Sequence, residues 1–327
     1  MIAIVTDRPN VGREIARVLG AGRKENGYMT GNGYMVTWTY GNMLSLAMPK
    51  DSGTAHVEWK DFPLLPPSFL TVRHVKTDTG WNPDINALLQ LKIIAKVLNA
   101  CDTIIAATDA SREGEMLFRY LYRFLGCRKP CLRLWISSLT DEAIAKGMEN
   151  LRPCSLFDNL FLAADSRNKA DWLLGVNSSY AVCKAVGFGN NSLGRVQTPV
   201  LAAISGRYRE RENHIPADSW PVFVSLCKNG KIIKMRHVED FCNRRDALEL
   251  YEDCKAAGYA RITAVNSRTE EITAPALYNL TGLQKDANRY HNLTAIRVQE
   301  ITQSLYEKKL ISCPRTSSRL LPEDVYG

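Results

Sequence analysis

Thr103-Ile-Ile-Ala-Ala-Thr-Asp-Ala-Ser-Arg-Glu-Gly-Glu115 is the stretch that decides the fold. Its apolar half, Thr103 to Ala107, has the length of a buried strand. It stops at Thr108-Asp109, and a helical pattern follows around Glu115 to Phe124. The same order opens the chain. Ile2-Ala-Ile-Val-Thr6 reads as a buried strand, Asp7-Arg8-Pro9-Asn10 as a turn, and Val11 to Leu19 as a helix, with Gly20 and Gly22 suiting its stop. Strand, charged turn and helix, twice over, predict an α/β sheet with parallel strands. In such sheets the reactive groups lie just past the carboxyl ends of the strands, where Asp7 and Asp109 both fall. If their strands are neighbours, the backbones lie about 4.8 Å apart and both carboxylates open on one crevice. The second turn adds Glu113 and Glu115. Clustered carboxylates suit Mg²⁺, a hard ion held by one or two of them with phosphate and water. They also suit a solvated loop capping the next helix, and spacing alone favours that plainer role.

Further along, Gly31, Gly33 and Gly41 punctuate a hairpin-like segment, and Phe62-Pro-Leu-Leu-Pro-Pro67 is a proline-rich connection. Leu89 to Asn99 has helical period. Helices are expected from Ser155 to Val186 and from Val196 to Arg211, the latter with Val196, Val200 and Ile204 as its inner stripe. Val222 to Leu226 and Ile232 to Val238, around Asn229-Gly230, predict a hairpin. Ala260 to Val265 predicts one more strand, Pro275 ends that segment, and Leu277 to Leu310 is helical again.

The chain has 327 residues, too many for one compact core, so two or three packed units are expected. Hydrophobic content of 45% and charged content of 23% are ordinary for a folded soluble protein. Every long apolar run is broken before it could span a bilayer, and Met1 to Val5 has no basic residue before it, so neither a membrane helix nor a secretion signal is expected. Nine cysteines without CxxC pairs suit reduced thiols in a cytosol. A net charge of +8 suits a polyanionic partner.

The turn at Asp109-Ala-Ser-Arg-Glu-Gly-Glu115 resembles the Toprim motif D-x-D-x-E-G-E of type IA DNA topoisomerases, topoisomerase III branch, and the start of the chain resembles that family's E-K-P-S. Further similar motifs follow in family order. Leu134-Trp-Ile-Ser-Ser-Leu-Thr-Asp-Glu-Ala-Ile144 is similar to the segment closing the Toprim domain. Ala170-Asp-Trp-Leu-Leu-Gly-Val-Asn177 and Leu193-Gly-Arg-Val-Gln-Thr-Pro199 are similar to the helical DNA-binding domain. Ala276 to Thr281 and Gln303 to Lys308 lead into Ile311-Ser-Cys-Pro-Arg-Thr-Ser-Ser-Arg319, similar to the active-site stretch. The resemblance covers essentially the whole chain. It implies a multidomain α/β plus α fold: a Toprim-like parallel α/β sheet over residues 1–150, a helical DNA-binding domain over 151–215, the β-strand segment of an arch over 216–275, and the beginning of the active-site domain over 276–327.

The resemblance also implies a reaction. A Tyr oxygen attacks a DNA phosphodiester, a covalent 5′-phosphoryl link stores the bond, and the strand reseals without ATP. Asp7, Arg8, Cys313 and Arg315 are then the catalytic candidates. Asp7, Asp109, Ser111 and Glu113 are the ligands expected for Mg²⁺, and Arg167, Arg195 and Gln197 the DNA contacts. Trp172 is expected in the core. Single-stranded DNA is the implied partner, a helicase a further one, with a monomer, a cytoplasmic location and no membrane. Several positions depart from the family. Asp7 stands for Glu, Arg8 for Lys, Asn10 for Ser, Ser111 for the middle Asp, Cys313 for the nucleophilic Tyr and Ser317 for an Asp. A thiol sulfur lies several ångströms nearer the backbone than a phenol oxygen, and a small buried thiol is its plainer role. A single-stranded-DNA-binding relative without cleavage, a Toprim nuclease or primase, and an interaction protein remain the other readings.

Overall fold

The computed structural model describes residues 1–327 apart from 53–56, 68, 79, 188, 190, 309, 313, 315–317 and 321–327. The chain forms two compact units, residues 1–197 with 275–327, and residues 198–274.

The first unit is built on a seven-stranded sheet. In chain order its strands are β1 (Ile2–Thr6), β2 (Arg23–Glu25), β3 (Tyr28–Gly31) and β4 (Tyr34–Trp38). Two small antiparallel pairs intervene, β5 (Leu44–Leu46) with β6 (Leu70–Val72) and β7 (His74–Thr77) with β8 (Gly80–Pro83). Then come β9 (Thr103–Ala106), β10 (Cys131–Arg133) and β11 (Arg152–Pro153), and the spatial order is β11-β10-β9-β1-β4-β3-β2. The four central strands are parallel, as expected, whereas both edges are antiparallel. At the β2–β3–β4 edge the reason is that the glycine-punctuated turns after β2 and β3 are too short for a crossover, which a parallel pair requires.

Side chains alternate between two cores, as the two-residue period of a strand demands. On β1, Ala3 and Val5 face one cluster and Ile4 the other. On β9, Ile104 and Ala106 join the first and Ile105 the second, with Ala107 just past the strand also in the second. The first cluster is completed by α2 (Ile85–Ala100) and α3 (Arg112–Phe124), the second by α1 (Pro9–Val18) and α4 (Asp141–Glu149). Both central strands are therefore sandwiched, and the acidic turn after each of them emerges at a rigid sheet end.

Local chemistry sets the helix starts. Asp84 caps α2, accepting from the N–H groups of Asn86 and Ala87, and pairs with Arg73 at 2.7 Å. Burial pushes its carboxyl up, but the bonds from Arg73 and Ala87, with the Arg73 charge, together hold it below the usual carboxylate range. Asp84→Ala is expected to lower stability by about 1–2 kcal/mol, the worth of a good N-cap, read as a shift in urea midpoint at constant slope. Because the folded group titrates below its unfolded value of about 3.9, its contribution is complete above that pH. It disappears as pH falls through the folded value.

Helix α5 (Asp158–Val186) runs to Gly187, whose φ of +79° ends it in the left-handed conformation that favours glycine. Two capped helices, α8 (Leu280–His291) and α9 (Ala295–Glu307), also belong to this unit. Trp172 is partly buried and donates to the Ala47 carbonyl at 3.0 Å, so it acts as a packing residue. Cys131 and Cys154 are joined as a disulfide, contrary to the expectation of reduced thiols throughout. Pairing of β10 with β11 brings the two positions to 5.7 Å between Cα atoms, a proximity the sequence spacing did not reveal.

The second unit holds most of α6 (Gln197–Glu212), a hairpin of β12 (Phe223–Lys228) with β13 (Lys231–Arg236), and α7 (Arg244–Ala257). The hairpin turns at Asn229 and Gly230, both at positive φ. Two expectations fail here. Val196, Val200 and Ile204 are exposed, and α6 buries none of its residues, so its apolar stripe is not an inner one. Ala260 to Val265 forms no strand. Ile262 and Val265 are exposed and the segment joins no ladder, without which an apolar run is not a strand.

Candidate functional site

The parallel pairing of β1 with β9, with Val5 opposite Ala106, brings Asp7 and Asp109 past the ends of neighbouring strands. Asp7 is buried, and its main-chain carbonyl accepts from the Thr39 hydroxyl at 3.2 Å and from the Gly41 N–H at 3.1 Å. The loop after β4 thus fixes the turn. Arg8 places its Nε 3.4 Å from the Asp7 carboxylate and donates through Nη1 to Gln303 on α9 at 2.5 Å. Thr39 was not singled out in the sequence and Gly41 only as a turn residue, because both act on the main-chain carbonyl of Asp7.

Asp109 is half-buried on the second turn. Ser111 is the N-cap of α3, its hydroxyl accepting the Gly114 N–H at 3.1 Å. Where the family pattern carries a carboxylate, this chain therefore has a neutral oxygen already occupied as a cap. Glu113 points outward and pairs with Arg167 on α5 at 3.3 Å. Glu115 turns inward, wholly buried, against Arg133 and Arg119. Among the described residues no three His, Cys, Asp or Glu side chains gather where one ion could be held. The arrangement thus does not supply an all-protein cage. It does fit an ion that takes one or two carboxylates and completes its shell with phosphate and water, as Mg²⁺ does. Asp109 is half-buried on the turn next to that of Asp7, and the partners of Glu113, Arg167 and Arg112, both face solvent.

Arg167 and Asp171 lie one turn apart on α5 and hence on one face. Asp171 pairs with Arg195, whose second nitrogen lies 3.1 Å from the carboxylate. Arg195 pulls the Asp171 carboxyl below the usual range and Arg167 adds to this, while Asp171 raises the Arg195 guanidinium. Gln197 opens α6, exposed, and donates to the Ser192 hydroxyl at 3.2 Å. The structure therefore brings Glu113, read as a metal ligand, into one exposed line with Arg167, Asp171 and Arg195, two of them read as DNA contacts, whereas Gln197 pairs elsewhere.

Cys313, Arg315 and Ser317 lie outside the described residues. Ser312 and Pro314, on either side of Cys313, line a mainly apolar groove of about 590 Å³ with Leu139 and Thr140 of the segment before α4 and with Leu283 and Tyr306 of α8 and α9.

A sheet with acidic turns at the carboxyl ends of its central parallel strands, followed by a long helix that carries Arg167 and Asp171 on one face, is the arrangement of a Toprim-type domain. Comparison with known proteins makes this specific. Residues 2–139 match the Toprim domain family, and residues 155–327 match the DNA topoisomerase family. The chain is 32% identical over 338 residues to DNA topoisomerase 3 of Bacillus cereus, covering 99% of this chain and 44% of that protein. It is 34% identical over 330 residues to DNA topoisomerase 3 of Bacillus subtilis, covering 98% and 44%. Full-length topoisomerase I from Thermotoga maritima superposes with a TM-score of 0.65 at 19% identity, covering 98% of this chain and 50% of that one, which shows the shared fold. The chain belongs to the DNA topoisomerase family, whose model covers residues 155–327. It spans less than half the length of the curated relatives it matches. Among the described residues no helix is long and apolar enough to cross a membrane.

Proposed function

We propose that this chain captures single-stranded DNA along the Glu113–Arg167–Asp171–Arg195 line and delivers a phosphate to the Asp7–Asp109 crevice, as the strand-binding half of a type IA topoisomerase. The observation that carries the reading is the exposed line itself. Two guanidinium groups, Arg167 on α5 and Arg195 in the turn before α6, would supply phosphate contacts, and each is paired with a solvent-facing carboxylate that a strand can displace. Arg195 also sits just before the N-terminus of α6, where backbone N–H groups favour an anion. Asp109, with Asp7 or Glu113, would hold Mg²⁺, and the ion would neutralise charge on the phosphate. Arg8 would orient the same phosphate with its planar fork.

In the family reaction the nucleophile's oxygen attacks phosphorus, the enzyme–5′-phosphoryl bond forms, and the 3′-oxygen leaves with a proton. Asp7 would donate that proton, and Arg315 would neutralise the phosphate. Cys313 favours a second reading, in which strand binding is kept and covalent cleavage is not, since the thiol falls short of the phenol's reach. The division at residues 150, 215 and 275, a helicase partner, a monomeric state and a bacterial cytoplasmic location belong to the same proposal.

Arg195→Ala tests it. The variant should weaken binding of single strands of any sequence and make the slope of log affinity against log salt shallower by about 0.7, the release expected for one phosphate contact. Unchanged affinity and slope would remove the α5 face from the proposal.

A further inference from the structure

Arg133 was not among the residues the sequence pointed to, yet it donates to four main-chain carbonyls. Its side chain is completely buried at the end of β10. Nη1 donates to the carbonyls of Ala106 and Thr108 at 2.8 Å and of Leu134 at 3.0 Å, and Nη2 donates to the carbonyl of Asp109 at 2.7 Å. Nε lies 3.0 Å from Glu115 Oε2, a charge contact off the hydrogen-bond direction. Glu115, equally buried, accepts from Arg119 at 2.9 Å. Arg119 in turn donates to the Cys154 carbonyl at 2.5 Å and to Asp158, the first residue of α5, at 2.7 Å. A chain of four charged side chains therefore runs from the start of the DNA-facing helix to the backbone of Asp109.

Burying an ion pair costs desolvation, and an apolar pair of similar volume would often be as stable. Stability alone is thus a weak account of Arg133 and Glu115. Their geometry says more. Three of the carbonyls held by Arg133 belong to the end of β9 and the acidic turn, and a planar guanidinium can reach them at once where an ammonium cannot. The positive charge also faces the two acids. Burial lowers the affinity of Arg133 for its proton, while Glu115, then Asp109 and Asp7, raise it.

We propose that Arg133 is a positioning residue: anchored by Glu115, it fixes the Asp109 turn so that the Asp109 carboxylate is presented to a divalent cation and a DNA phosphate. The inference rests on the reading of the Asp7–Asp109 crevice as a metal- and phosphate-binding site. It extends that reading to a buried pair that touches neither group.

The test uses the whole chain with Arg133→Met combined with Glu115→Gln, which removes both buried charges and leaves an acceptor for Arg119. Arg133→Lys keeps the charge without the fork and serves as the second variant. Amide hydrogen exchange over residues 107–115, without metal, should accelerate about tenfold while β1 and α2 keep their protection. Mn²⁺ affinity, measured by isothermal titration, should fall about tenfold or more, the usual effect of losing the support behind a metal ligand. A folded double variant with unaltered exchange at 107–115 overturns the proposal, as does faster exchange with unaltered Mn²⁺ affinity. Failure of both variants to fold also overturns it, by reducing Arg133 to a structural group. If the parent chain itself binds no Mn²⁺, the metal reading fails separately, and the exchange result alone decides whether Arg133 holds the turn.

Discussion

Gly114→Ala is expected to destabilise the chain by about 2–3 kcal/mol, the scale of an overpacked site that cannot relax. Helix propensity argues the other way, since Gly114 lies inside the first turn of α3 and alanine is favoured over glycine by about 1 kcal/mol in a helix interior. Space decides. A Cβ at Gly114 would stand 2.2 Å from the Asp109 carbonyl oxygen, 2.9 Å from its carbon and 3.0 Å from its nitrogen. These are backbone atoms, and the carbonyl is already held by Arg133 and by the Ser111 N–H, so the turn cannot move aside cheaply. The substitution should lower the urea midpoint and also weaken divalent-cation binding, because the displaced residue is Asp109. A midpoint that rises, as propensity alone requires, would show that the approach of α3 to this turn is loose.

The second large effect concerns the covalent step. Incubated with labelled single-stranded oligonucleotide and Mg²⁺ and then denatured, the chain is expected to leave no protein-linked band, and it is expected not to relax supercoiled DNA. Cys313 places its sulfur several ångströms short of a phenol oxygen, and Ser111 offers a neutral oxygen already engaged as a helix cap. These deficits act at different steps, so Cys313→Tyr alone should not restore relaxation. Cleavage asks for less than strand passage, so Cys313→Tyr with Ser111→Asp is expected to give a covalent single-strand product without relaxation. A protein-linked band from the unmodified chain that disappears in Cys313→Ala would establish the cysteine as a working nucleophile.

The sheet was readable because its two central strands are short apolar runs that end on charge and are followed by helical period. Buried parallel strands advertise themselves in that way. The adjacency of Asp7 and Asp109 needed only the assumption that β1 and β9 pair. What stayed hidden had two causes. Thr39, Gly41 and Arg133 hold the acidic turns through main-chain carbonyls, and a residue that acts on backbone leaves no motif. Glu113 and Glu115 looked alike in the sequence, yet their positions on α3 send one to solvent and Arg167 and the other into the core against Arg133. The errors on α6 and on Ala260 to Val265 share one source. An apolar period predicts a face or a strand that wants a partner, and it does not supply one.

Equilibrium binding of a labelled single-stranded oligonucleotide by the whole chain, across a salt series, tests the central claim most directly. The account predicts that log affinity falls linearly with log salt, with a slope of magnitude above about 1.4, the release expected for at least two phosphate contacts. Arg167→Ala combined with Arg195→Ala should flatten that slope by about 1.4. Binding that is absent, or that ignores both salt and the double substitution, would contradict it.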